Sequence, residues 1–411
     1  MLGELSPRQS ELALWWHRRP DLDGVIADGS IRSGKTVSVD AGFLLWSQAN
    51  FSGQKFIVAG QSVAAANRNV IGPMKRIMSE DLGWSFSHNR GDNVLTVGSN
   101  EYHIFGAPNE RSQDAIQGMT AAGCLLDEAA LLPRSFIEQA VGRCSVDGAK
   151  IWLDCNPGSP SNYVKTDLID MADEKRLLHL HFTLDDNPHL PESTKERYRR
   201  MFTGVFHDRY IRGLWVLAEG LVYQTPAEAY TCTDAEADEL PDNPWAEQPR
   251  WFVSVDYGIV HPFAALLWKL WRGRAYVVGE YYYDGSRRPR RTDEEHYDAL
   301  CSLVGDRRVE EVVIDPSATS MREVISRHDR FDCVAADNDV IAGISTTSSM
   351  LANGAVKVAA RCRDTLREFG LYSWDSKAPG DRVVKEDDHA MDSMRYMCRT
   401  VLRFEIPGYD W

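Results

Sequence analysis

DGSIRSGKTVS, residues 28–38, is a glycine-rich turn that ends in Gly-Lys-Thr. From Gly29 to Thr36 it fits G-x-x-x-x-G-K-[ST] at every fixed position, with Arg32 and Ser33 among the free ones. The residue types suit a phosphate cradle. Glycines let backbone N–H groups turn inward onto phosphate oxygens, and the helix that follows adds its dipole. In such a loop Lys35 reaches the β- and γ-phosphates and the Thr36 hydroxyl ligates Mg²⁺. Position agrees with composition: the apolar run GVIADG (24–29) leads in, and KTVSVDAGFLLWSQA is predicted to follow as a helix.

A cradle of this kind needs acids opposite it. GCLLDEAALL (123–132) is an apolar strand ending in Asp127 and Glu128, placed to hold Mg²⁺ through water and to orient an attacking water. Arg32 lies inside the loop, either solvated or in contact with phosphate. Arg111 and Arg143 are further candidates for an arginine finger, and the sequence does not choose among them.

Working outward, QKFIVAG (54–60) and KIWLDCNPG (150–158) are further strands. NVLTVGSNEYHIFGA alternates like a hairpin, and VIGPMKRIMSEDLG reads as helix. Strands alternating with helices imply an α/β fold with a parallel-rich sheet. PESTKERYRRMFTGVFHDRYIRG is expected to be one long basic helix. The acidic, Pro- and Ala-rich stretch 225–250 is expected to be a linker.

The second half starts afresh with RWFVSVDYG. FAALLWKLWRGRAYVVGEYYYDG reads as two strands joined at WRGR, and EEVVIDP as another. Asp256 and Asp315 each end an apolar strand. Asp388, His389 and Asp392 fall in one helix, where the i,i+4 pair 388/392 and the i,i+3 pair 389/392 share a face. Converging carboxylates with an imidazole are what two Mg²⁺ or Mn²⁺ ions need for phosphodiester cleavage. A strand-end aspartate also serves as a turn or cap residue, and Asp388 could be the helix N-cap. The order of the elements favours catalysis: strand, hairpin, strand with acid, then C-terminal helix with acid is an RNase H-like layout.

The bulk numbers bound the rest. A chain of 411 residues has room for two domains, and its hydrophobic fraction of 43% and charged fraction of 26% are those of a globular protein. No run of 18 apolar residues occurs, so no membrane span is expected. The N-terminus has no secretory pattern. Eight scattered cysteines without a C-x-x-C pair argue for reduced, mostly buried thiols rather than a disulfide or zinc scaffold. Net charge is −14, from 46 basic and 60 acidic residues, which opposes polyanion binding unless local patches supply it. RYRRMF (197–202) and RRPRR (287–291) are two such patches, each also readable as solvated surface.

Taken together, the chain resembles the large terminase subunit of tailed double-stranded DNA bacteriophages. The motifs that carry the resemblance are LSPRQ, GSIRSGKT, LLDEA, DCNPGSPSNYV, GLWVLAEGLVY, VDYG, VIDPSA and DDHAMDSMRY, in that order. It implies an N-terminal P-loop ATPase domain (1–224), a linker (225–250) and a C-terminal RNase H-like nuclease domain (251–411). ATP would drive double-stranded DNA into the prohead through the portal protein, and the nuclease would cut concatemeric DNA with Mg²⁺ or Mn²⁺. Gln9 would help read adenine, and Asn156 would lie in the motif coupling hydrolysis to motion. Glu128 would be the ATPase catalytic acid. Asp256, Asp315 and Asp392 would be the nuclease acids, with Asp392 favoured over Asp388 for the third metal position and His389 as accessory ligand. The implied partners are DNA, the portal protein, the small terminase subunit and further copies in a ring. The implied location is the host cytoplasm, transiently at the portal and outside the mature virion. Two rivals remain: a helicase-like translocase without nuclease activity, and a recombinase-like nuclease with an accessory NTPase. The junction motif and the lack of a helix-turn-helix favour the terminase.

Overall fold

The computed structural model describes residues 5–409, apart from 242, 244, 259, 260, 287, 376, 377 and 379. The chain forms two compact units: Met1–Arg199 with Val205–Leu217, and Arg200–Gly204 with Ala218–Trp411.

The first unit is built on an eight-stranded sheet. Its strands are β1 (Gly24–Gly29), β2 (Lys55–Gly60), β3 (Phe86–Asn89), β4 (Val94–Val97), β5 (Asn100–Gly106), β6 (Gly123–Leu126), β7 (Lys150–Cys155) and β8 (Leu177–Phe182). They lie in the order β3-β4-β5-β2-β6-β7-β1-β8. From β5 to β8 neighbours run parallel; β3 and β4 close one edge antiparallel. β1 is buried at every position, which is why it reads as an unbroken apolar run. Helices α1 (Pro7–Arg18) and α2 (Lys35–Asn50) cover one face. There Trp15, Phe43, Trp46, Phe56, Tyr102 and Trp152 form a continuous aromatic cluster. Helix Arg134–Arg143 packs Phe136 and Ile137 into the core on the other face.

The second unit holds a seven-stranded mixed sheet. Its strands are β9 (Thr231–Cys232), β10 (Arg250–Asp256), β11 (Phe263–Trp271), β12 (Arg274–Tyr283), β13 (Val309–Ile314), β14 (Cys333–Ala335) and β15 (Val356–Ala359), in the order β14-β13-β10-β11-β12-β15-β9. β10, β11 and β12 form an antiparallel meander; β13 and β14 add parallel on the β10 side. This is the strand, hairpin, strand layout that the nuclease expectation requires. The WRGR turn is a tight hairpin with positive φ at Arg272 and Gly273. Helix His389–Met397 packs across β10 and β11, with Ser393 Oγ 2.9 Å from Ser254 Oγ.

Three expectations need adjustment. The predicted long basic helix is two, Glu192–Met201 and Gly204–Tyr210, because the chain leaves helical geometry at Phe202 and Thr203 and turns through Gly204, whose φ is +53°. The stretch 225–250 is not bare linker: it carries the helix Ala227–Tyr230, strand β9 paired parallel with β15, and the helix Asp234–Asp238. The two compact units meet along the chain at Leu217/Ala218, with Arg200–Gly204 belonging to the second. All eight cysteines are free, but four of them are only partly covered.

Candidate active sites

The first site lies at the C-terminal end of β1. Gly34 adopts φ +83°, which favours glycine, and a Cβ there would stand 2.0 Å from Gln9 Nε2 and displace that amide from the loop. Gly29 is equally constrained, since its Cβ would meet the Phe182 carbonyl oxygen at 1.9 Å. Ser33 is buried and its hydroxyl donates to the Ser30 carbonyl at 2.9 Å. Arg32 is exposed, and its carbonyl accepts from Asn187 Nδ2 at 2.7 Å. The loop is thus held from several sides without a ligand's help.

Lys35, 5% exposed, donates to the Ser30 carbonyl at 3.0 Å and to Asn156 Oδ1 at 2.6 Å. Burial pulls its ammonium down, against Asp154, Cys155, Asp28 and Glu128, which favour the charged form. Gln9 closes a capping box with Ser6 at the start of α1 and reaches the Ser33 carbonyl at 3.4 Å, which ties that helix to the loop.

The acids stand behind the lysine. Burial, with Asp154 and Glu128 nearby, pushes Asp127 up to about 8; Asn69 Nδ2 donates to it at 3.1 Å. Glu128 is raised too, by burial and then by Asp154, and its backbone is left-handed at φ +51°. Two further acids, unassigned by the sequence reading, belong to this group. Asp154, at the end of β7, accepts from Thr36 Oγ1 at 2.6 Å, and its other oxygen is buried without a partner. Asp40, one turn beyond Thr36 on α2, is fully buried with neither oxygen hydrogen-bonded. The signal for Asp154 was there in WLDCN, an acid ending an apolar strand as Asp127 does. Thr36, Asp127 and the orphaned Asp154 oxygen are hard oxygen donors, a set that fits Mg²⁺ with bound waters.

A third missed acid sits beneath the loop. Asp28, 1% exposed, accepts on one oxygen from His179 Nε2 (2.8 Å) and His181 Nδ1 (3.1 Å), and on the other from Trp215 Nε1 (2.7 Å). Burial would raise the Asp28 carboxyl, but these donors hold it well below the usual range, and Asp28 in turn raises His181.

The second site opens at the end of β10 and β13, in a cavity of about 390 Å³ that Asp256, Asp315, Asp388, His389 and Asp392 line. Asp256 Oδ1 and Asp315 Oδ2 converge on one hydroxyl, that of Tyr396, at 3.4 and 2.8 Å. His389 Nδ1 meets the other Asp256 oxygen at 2.8 Å. Lys385 Nζ lies 3.1 Å from both Asp388 and Asp392, and buried Arg395 donates to Asp392 Oδ1 at 3.1 Å. Burial raises Asp256 despite His389. It would raise Asp315 too, but hydrogen bonds from Ser317 and Tyr396 bring that carboxyl below its ordinary value. Among the described residues, no three His, Cys, Asp or Glu side chains close to metal-ligating spacing, each carboxylate being held by a protein donor. The donor set is nonetheless carboxylate oxygen with one imidazole, and it fits Mg²⁺ or Mn²⁺. Tyr396, Lys385 and Arg395 escaped the sequence reading, although Tyr396 follows His389 and Asp392 at i+7 and i+4 on one helix face.

Comparison with known proteins agrees with this geometry. A family model described as the terminase large subunit, T4likevirus-type, N-terminal, matches residues 26–229, and one described as the terminase RNaseH-like domain matches 267–399. No curated protein sequence matches the chain. The crystal structure of a large terminase from a thermophilic bacteriophage is 40% identical, with a TM-score of 0.90 over 97% of this chain and 99% of that one. The same phage protein in complex with ADP is 40% identical at a TM-score of 0.89, and with ATP-γ-S 39% identical at 0.88, each over 97% of this chain and all of that one. The chain therefore belongs to the family of phage large terminases, with an N-terminal ATPase domain and a C-terminal RNase H-like nuclease domain.

Proposed function

We propose that the first site takes ATP with Mg²⁺ and that its hydrolysis moves double-stranded DNA, while the second uses Mg²⁺ or Mn²⁺ to cut that DNA. The observation that carries the nuclease half is the meeting of Asp256 and Asp315 at one hydroxyl, which brings two strand-end carboxylates to a common point. Likeness to the thermophilic phage's enzyme, solved with ADP and ATP-γ-S, supports nucleotide at the cradle.

At the cradle, Lys35 would leave Ser30 and Asn156 for the β- and γ-phosphates, so Asn156 is placed to register whether phosphate is present. Thr36 and Asp127 would hold Mg²⁺, with Asp154 orienting the Thr36 hydroxyl. Glu128 would orient the attacking water, and Gln9 would face adenine. At the second site Asp256, Asp315 and the Asp388/Asp392 pair would bind metal, with His389 accessory. Divalent ions there supply an activated water and stabilise the leaving oxygen. Tyr396 sets the spacing of the two strand acids, and Lys385 and Arg395 offset the charge of the helix acids.

The partners we propose are double-stranded DNA, the portal protein, the small terminase subunit and further copies of the chain in a ring. The proposed location is the host cytoplasm and, transiently, the prohead portal. Plasmid cutting by the full chain with Mn²⁺, beside Asp315→Ala, tests the reading. Cutting by the parent and none by the variant is the expected result; equal cutting by both would overturn the assignment of Asp315.

A further inference from the structure

The two basic patches of the sequence differ at Arg199; Arg197 and Arg200, beside it in the first patch, are exposed like the arginines of the second. In RYRRMF, Arg199 is neutralised by Glu192 and Glu196, each at 2.8 Å, and by Asp185 at 3.1 Å. It has little charge to offer a partner. Arg288, Arg290 and Arg291 of the second patch are exposed, and the contacts described for Arg288 and Arg291 are with rings and a phenol rather than with carboxylates. The first arginine of that patch, Arg287, lies outside the described residues.

The loop carrying these arginines is built rather than loose. The Tyr283 hydroxyl donates to the Pro289 carbonyl. The Arg291 guanidinium lies 4.4 Å from the Tyr283 ring centre and donates to the Tyr281 hydroxyl at 3.0 Å; Arg288 stands 5.6 Å from the same Tyr283 ring. The tyrosines are held in turn, Tyr281 by His296 Nδ1 at 3.0 Å and His296 by stacking on Phe263 at 4.3 Å. A guanidinium placed over an aromatic face keeps its N–H edge free and loses less rotamer freedom on binding phosphate.

The loop also lies at the nuclease end of the sheet. Asp256 pairs with Ala264 and Ala264 with Tyr282, so the strand leading into the loop is two strands from the acid, about 10 Å at the usual spacing. At the loop's far end Asp293 accepts from the Tyr257 hydroxyl at 2.7 Å, and Tyr257 lines the same cavity as Asp256 and Asp315. Four acidic side chains in that cavity, on a chain of net charge −14, repel a polyanion. A substrate phosphate brought there needs a local cationic anchor beside the acids.

We propose that Arg288, Arg290 and Arg291 grip backbone phosphates of the DNA that enters the nuclease site, as positioning residues that hold the duplex against the acid cluster. The inference rests on the nuclease reading of those acids. The arginines read no base; they fix the register of the backbone.

The test uses the full chain and a fluorescent 30-base-pair duplex, with affinity measured against KCl concentration for the parent, for Arg288→Gln with Arg290→Gln, and for Arg199→Gln. The double variant should weaken binding at low salt and flatten the slope of log K against log salt by roughly two, since each phosphate contact contributes about 0.9. Arg199→Gln should leave the slope unchanged. In cutting assays with Mn²⁺ the double variant should raise KM and leave kcat and DNA-free ATP hydrolysis unchanged. An unchanged slope in the double variant, or an equal fall in Arg199→Gln, overturns the proposal. If the double variant shows the expected slope change yet the parent does not cut, the nuclease reading fails while the DNA grip stands.

Discussion

The two acid clusters of this chain answer the same electrostatic problem in different ways. In the ATPase unit, Asp40, Asp127 and Asp154 are buried and Glu128 is half-buried, with orphaned oxygens on Asp40 and Asp154, and burial pushes Asp127 up to about 8. In the nuclease unit every carboxylate of the cavity has a protein donor: Tyr396, His389, Lys385 or Arg395. On the proposed function, an incoming divalent cation would offset the first cluster. The second is balanced internally and must exchange partners to act. Ligand binding should stabilise the first unit strongly, whereas at the second it competes with existing contacts.

The sharpest break in this comparison is functional. Glu128→Gln should lower ATP hydrolysis by roughly 10²–10⁴-fold, the range for loss of a positioned acid–base group, with DNA cutting retained. Asp315→Asn should do the reverse. Loss of both activities in either variant would mean that the clusters are not independent, and paired ATPase and plasmid assays decide.

Next in size is the internal balance of the nuclease cluster. Asp392→Asn leaves Arg395, with a side chain 2% exposed, short of its carboxylate, and should cost about 3 kcal/mol in a denaturant titration. Asp388→Asn weakens a contact to exposed Lys385 at 3.1 Å and a longer one to His389 Nε2 at 3.9 Å, leaves no buried cation short of its carboxylate, and should cost less. Equal costs would show that Arg395 draws its balance from elsewhere. Tyr396→Phe tests the exchange of partners more gently. Removing the shared hydroxyl should change apparent Mn²⁺ affinity by about 10–100-fold, read by calorimetry on the full chain as well as by cutting.

The smallest effect concerns the carboxylate beneath the cradle. His181 is raised by Asp28, so its contribution to stability is complete below the ordinary histidine value and is lost as pH rises through the elevated one. Asp28 is depressed, so its contribution is present above the ordinary carboxylate value and lost on strong acidification. His181→Gln should flatten the decline of the first unit's stability on the alkaline side of about pH 6.5, followed by thermal denaturation across pH. An unchanged profile would remove His181 from the balance.

What was legible in the sequence was whatever local pattern fixes. The loop from Gly29 to Thr36 needs glycines and a lysine at set spacing, and strands that bury an acid at one end announce it. The WRGR hairpin and the C-terminal helix follow from turn chemistry and periodicity. Long-range partners were not legible. Asp28 meets His179 and His181 because β8 lies beside β1, and Asp154 meets Thr36 because β7 lies on its other side; neither adjacency is written in any short window. The stretch 225–250 read as linker because its composition is acidic and rich in proline, while a two-residue strand such as β9 leaves almost no periodic trace.

That small strand bears on where the nuclease half can be severed. β9 covers the outer side of β15, and the carbonyls of Ala237 and Glu239 just after it receive the ammonium of Lys269, a residue with no solvent exposure. A fragment begun at residue 251 would uncover the hydrogen-bonding edge of β15 and strand an amino group inside the protein, an invitation to aggregate. One begun at Ala218 keeps both protections. The acidic tract between the halves is thus the nuclease's own selvedge, the woven border that stops the sheet from unravelling into its neighbours.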